Sequence, residues 1–168
     1  MTSEMVKFEF YFELINNNSY DKKIVAKVGK DITGKEKYEI MKKAVSQCNL
    51  AMEKGFFLEA TTLIESLICN RLESRYSELI KGDVNMGRLV ALCNNVIKHG
   101  EQDRELLEIG DEIILWAERR NTVVHQAAKI EKGKQKDWES FLKQAENTAE
   151  DGRELFDRYN AHLDKIRK

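Results

Sequence analysis

The sequence predicts a mainly α protein: a bundle of four to five helices behind a small N-terminal β-hairpin appendage. Three observations lead there. Proline is absent from all 168 residues, so nothing in the chain removes a backbone donor inside a helix. From Gly34 onward apolar residues recur at spacings of three and four, the period of a helix buried along one face. Each of the first four helical runs also closes at or near a glycine, the residue that most easily adopts the left-handed conformation past a helix C-terminus.

The elements follow in order. Val6, Phe8, Phe10, Phe12 and Leu14 alternate with other residues, a period of two with aromatic enrichment that predicts a strand. Asn16, Asn17, Asn18 and Ser19 read as a turn, and Lys22 to Val28 as a returning strand. An isolated hairpin is marginal in water, so residues 1–34 are expected to rest on the bundle, residues 35–168, or on a partner. The first helical stripe is Ile40, Met41, Ala44, Val45, Cys48, Ala51 and Met52, ended by Gly55. The second runs from Phe56 through Ala60, Ile64, Leu67, Ile68 and Leu72 to Ile80, closed by Gly82. Leu89, Leu92, Cys93, Val96 and Ile97 form a short third stripe that stops near His99 and Gly100. The fourth starts at about Asp103 and runs through Ile113, Ile114 and Trp116 to Ile130 and Gly133. The last begins near Lys136 and carries Trp138, Phe141, Leu142, Ala145, Ala149, Leu155, Phe156, Tyr159, Leu163 and Ile166. Short connections between such helices predict antiparallel neighbours.

Composition removes several function classes. The chain is 42% hydrophobic and 34% charged, too apolar for disorder and too charged for a membrane span. A net charge of −1 advertises no global attraction to nucleic acid. Cys48, Cys69 and Cys93 stand far apart, one on each of three helices, and read as packed, reduced thiols of a cytoplasmic protein. No glycine-rich phosphate loop, GxSxG or HExxH is present. Val96, Thr122 and Tyr159 precede the three histidines where a Glu-x-x-His di-iron bundle needs glutamate. No cofactor and no metal are expected.

One segment interrupts the stripes with useful chemistry, Arg119-Arg120-Asn121-Thr122-Val123-Val124-His125. Asn121 and His125 are four apart and share a helical face. Arg120 lies further around the cylinder, though its long side chain can swing toward the same end. An imidazole moves a proton near neutral pH, and a guanidinium binds phosphoryl oxygens bidentately, so the set suits chemistry at a phosphodiester. Residues 119–136 add Arg119, Lys129, Lys132, Lys134 and Lys136 against Glu131 alone, a local excess of five positives once Arg120 is counted. Such a strip attracts RNA, and Arg119, Lys129 and Lys132 are the expected backbone contacts. It also suits a solvated helix end whose lysines follow the dipole. Trp138 and Tyr159 could stack bases, but their spacing assigns them to the apolar stripe.

Arg120 to His125 resembles the signature of the HEPN superfamily: an arginine, a polar residue beside it, and a histidine closing an R-x4-6-H pattern. Such proteins are small helical bundles with the signature on a late helix, and the segment from Leu58 to Ser66 resembles their long acidic and aliphatic helix. The resemblance spans roughly Lys35 to Lys168. It implies a metal-independent endoribonuclease, commonly a toxin or an antiphage-defence effector, in which the RNA 2′-hydroxyl attacks the adjacent phosphate. By position Arg120 would stabilise the phosphorane, His125 would move the proton, and Asn121 would orient neighbouring groups. The resemblance further implies a homodimer with a composite site, and an antitoxin or defence-complex partner protein. Ala127 stands where the branch silenced by adenylylation often carries tyrosine, so that mode of silencing is not expected. Two other readings stand beside this one. The bundle could be a non-catalytic HEPN-like module that binds a protein partner or RNA. It could also be an unrelated scaffold in which Arg120 pairs with an acid such as Glu118 or Glu112. A solvent-facing Arg120 and His125 would favour catalysis, and a core-packed His125 the scaffold.

Overall fold

The computed structural model describes residues 32–82, 84, 87–100, 103–127 and 137–167, and among these every regular element is a helix. They are α1 (Ile32–Glu53), α2 (Phe57–Ile80), α3 (Leu89–His99), α4 (Arg104–Gln126) and α5 (Trp138–Ile166). The expected hairpin lies outside the described residues. The chain forms two compact units, Met1–Ala44 and Val45–Lys168, with the boundary inside α1. In the first, Lys42 Nζ sits 5.3 Å from the Tyr38 ring centre, a cation–π contact along one helix face. Ile40, expected on the stripe of α1, is 67% exposed.

The larger unit is built by its helix ends and one central aromatic. Gly55, at φ +75°, turns the chain out of α1. Past α2 the left-handed position belongs to Lys81, at φ 53°, whose N–H reaches Ser77 O; Gly82 stands one residue later than that turn. Asp103 caps α4 by accepting the Leu106 N–H at 3.0 Å. Asp137 caps α5 by accepting the N–H groups of Glu139 and Ser140.

At the centre lies Trp116 of α4, fully buried, its indole N–H donating to Thr148 O of α5 at 2.8 Å. Gly152 lets that ring lie directly on the α5 backbone. Further contacts fix the directions. Glu105 meets Lys165 and Glu112 meets Arg158, so α4 and α5 run antiparallel. Phe57 and Leu58 share a cluster with Phe141 and Ala145, while Glu78 meets Arg167, so α2 and α5 run parallel. α3 packs on α2 and α4. Cys48 and Cys93 are buried and Cys69 is half-buried, all as free thiols. Burial pushes the Cys93 thiol up to about 12, which keeps it protonated and inert.

Candidate functional site on the last turns of α4

The inward stripe of α4 runs Leu106, Ile109, Gly110, Ile113, Trp116, Ala117 and Val123, all buried. Extended at threes and fours, this series passes through position 120. Arg120 therefore points inward and is half-buried. Its Nη2 is ion-paired with Oε1 of Glu65, which follows the buried Ile64 on α2. The two side chains are 18% and 25% exposed. Burial lowers the Arg120 pKa from the ordinary arginine value, yet a guanidinium remains charged at any physiological pH.

The carboxylate facing Arg120 is thus neither Glu118 nor Glu112. Glu112 already accepts two hydrogen bonds from Arg158, at 2.6 and 2.8 Å. Glu118 lies two residues back along the helix, about 160° around its axis from Arg120. The signal for a deeper partner was present in the sequence: a cation in register with a core stripe requires a counter-charge on the facing helix.

Asn121 and His125 take the opposite aspect. Both are exposed, one turn apart, about 40° from each other around the axis. His125 is about 140° from Arg120. Within one chain α4 thus brings Asn121 and His125 together on the solvent side and turns Arg120 away from them. The exposed His125 is not packed against the core.

Arg119 turns to a third side, where its Nη1 lies 3.0 Å from Asp151 of α5. It borders a groove of ≈ 530 Å³ between α4 and α5, whose other charged residues are Glu112, Glu118, Asp151, Glu154 and Arg158. Four carboxylates against two guanidiniums make that groove a poor bed for a phosphate backbone. Lys129 and Lys132 lie outside the described residues.

Trp138 and Tyr159 separate. Tyr159 is fully buried, as its spacing predicts, whereas Trp138 is 61% exposed. Trp138 keeps the register of the stripe but opens α5, and the helix it would pack on stops at Gln126. Among the described residues no three His, Cys, Asp or Glu side chains gather as a metal site, and no helix is long and apolar enough to cross a membrane. No protein-family model, curated protein or solved structure matches the chain.

Proposed function

We propose that this chain is a metal-independent endoribonuclease of the HEPN type, a toxin or antiphage-defence effector acting as a homodimer. The observation that carries the reading is the Arg120 to His125 segment on the last turns of α4, with Asn121 and His125 open to solvent. In the proposed reaction the 2′-hydroxyl oxygen attacks the adjacent phosphorus and the O5′ of the next nucleotide leaves. One imidazole takes the 2′-hydroxyl proton and a second donates a proton to O5′, giving a 2′,3′-cyclic phosphate and a 5′-hydroxyl. Arg120 stabilises the charge that builds on the phosphoryl oxygens, and Asn121 orients a neighbouring group. The segment holds one histidine, His125, so two such imidazoles require two copies of the chain, which is why the site is proposed as composite.

The test is incubation of the purified protein with RNA in EDTA, with analysis of the product ends. Cleavage with cyclic-phosphate ends that falls roughly a hundredfold or more in His125→Ala supports the reading. An inert protein, or His125→Ala at full activity, overturns it. A second reading, a non-catalytic helical module binding a protein partner or RNA, draws on the Arg120–Glu65 pair. An arginine at a core position joined to a facing carboxylate is sufficiently explained by the fold alone.

A further inference from the structure

The C-terminal turns of α2 and α5 gather more positive charge than the carboxylate between them balances. Glu78 of α2 is held by two arginines. Arg75 Nη1, one turn earlier on α2, lies 3.3 Å from its Oε2, and Nη2 of Arg167, just past α5, lies 2.6 Å from its Oε1. Among the described residues neither arginine pairs with another carboxylate. Glu73, the next acid back along α2, lies about 160° around the axis from Arg75 and stands beside Cys69. Two guanidiniums on one carboxylate leave one positive charge in excess. The arginine side chains are 19% and 8% exposed, where an unmatched cation is costly.

The hydrogen bonds show the same deficit. Arg75 Nε, Arg167 Nε and Arg167 Nη1 are buried without an acceptor, and so is the hydroxyl of the fully buried Tyr159 on α5. Burial raises the Tyr159 pKa above the ordinary tyrosine value, so that hydroxyl stays protonated and can donate; both guanidiniums and the Glu78 carboxylate lie within electrostatic reach of it. Buried donors without acceptors are rare in folded proteins, and a set of them beside excess charge is what an anion site looks like. Water would satisfy the donors and leave the charge unmatched. A phosphoryl group answers both needs: as a dianion it matches two guanidiniums, and its terminal oxygens accept more hydrogen bonds than one carboxylate does. The Glu78 side chain is 31% exposed, so its carboxylate stands at the open edge of the cluster and can swing into solvent.

We infer that Arg75, Arg167 and the Tyr159 hydroxyl form a binding site for a dianionic phosphoryl group, which displaces the Glu78 carboxylate when it binds. The site is separate from the proposed ribonuclease site. Lys165 meets Glu105 in the first turn of α4, and His125 lies roughly 30 Å further along that helix.

Isothermal titration calorimetry on the full chain at constant ionic strength tests the inference, with inorganic phosphate, phenyl phosphate and acetate as probes. We expect phosphate to bind saturably and acetate, a monoanion, not to bind. Glu78→Gln removes the charge of the competing carboxylate and should tighten phosphate binding about tenfold. Tyr159→Phe keeps the ring, loses the hydroxyl and should weaken binding about tenfold, as for one hydrogen bond to a charged group. Circular dichroism checks that both variants fold, and the Glu78→Gln arm decides the matter should Tyr159→Phe not fold. Binding of phosphate without phenyl phosphate assigns the site to the free ion, and binding of both assigns it to the phosphoryl end of a larger molecule; either supports the site. Absence of saturable phosphate binding to the native chain overturns the inference. So does an affinity that Glu78→Gln leaves unchanged, or acetate that binds as tightly as phosphate.

Discussion

Removing either partner of the Arg120–Glu65 pair should destabilise the protein far more than a surface ion pair would. The side chains are 18% and 25% exposed, so the pair lies nearer to the buried limit than to the exposed one. Breaking a buried pair by deleting one partner costs about 3–5 kcal/mol, whereas exposed pairs contribute about 0–1 kcal/mol. Arg120→Ala should therefore lose about 2–3 kcal/mol. For a chain of this length that lowers Tm by roughly 5–10 °C. Glu65→Ala should cost a similar amount, because it strands the guanidinium. The double variant Arg120→Met/Glu65→Leu removes both charges and fills the space, and should return to within about 1 kcal/mol of the native protein. Urea unfolding followed by circular dichroism measures the native protein and the three variants. Single variants that lose under about 0.5 kcal/mol, or a double variant as unstable as the sum of the singles, would refute the placement of Arg120 in the core. The same double variant separates stability from chemistry. If it folds and cleaves RNA at the native rate, Arg120 serves the fold alone and its catalytic role is wrong.

Two further outcomes follow from packing and charge. Gly152→Ala sets a Cβ 2.5 Å from Cζ2 and 2.6 Å from Cε2 of the fully buried Trp116 ring, and should cost about 3 kcal/mol by overpacking. Gly110→Ala meets the far end of the half-buried Ile97 at 2.6 Å and gains helix propensity, so thermal melts should place it within about 1 kcal/mol of native. Hydrogen bonds from Arg158 hold the Glu112 carboxyl below the ordinary glutamate range. A depressed folded-state pKa gives stability that is present above the unfolded pKa and lost as pH falls through the folded value. Glu112→Gln should flatten the acid limb of a stability–pH profile, and an unchanged limb would show that the pair contributes nothing.

The periodic part of this architecture was legible because the rules that set it are local. Gly55 past α1 and Asp103 before α4 each act within one or two turns and fall where the sequence puts them, whereas α4 ends at Gln126, short of the expected Ile130 and Gly133. What was not legible depends on where a neighbour ends. Trp138 keeps its register yet is exposed, and periodicity says nothing about the length of the facing helix. The partner of Arg120 was hidden for a related reason. Acids close in sequence are the natural candidates, but Glu65 is 55 residues away and is brought opposite Arg120 only by the packing of α2 on α4.

The geometry of α4 also sharpens the assembly proposal. A five-residue spacing on a rigid helix fixes the Cα–Cβ directions of Arg120 and His125 about 140° apart, and the Glu65 pair holds the guanidinium on the inward side. For one chain to bring both groups to one phosphate, Arg120 must release Glu65 and cross the helix surface. A second copy supplies the second imidazole on the solvent side, beside Asn121 and His125, but leaves that demand on Arg120 unchanged. Two-fold symmetry then supplies two of each group, and C₂ is the commonest arrangement of identical subunits. The proposal predicts a dominant defect. Native chain denatured and refolded with an excess of His125→Ala should lose nearly all its cleavage, since mixed dimers hold one imidazole where the reaction uses two. Light scattering establishes that the mixture is dimeric. If the mixed dimers keep the activity of the native chains they contain, the two imidazoles do not share a cleft; if the native protein is a monomer that cleaves at full rate, each copy completes its own site and the composite arrangement is wrong.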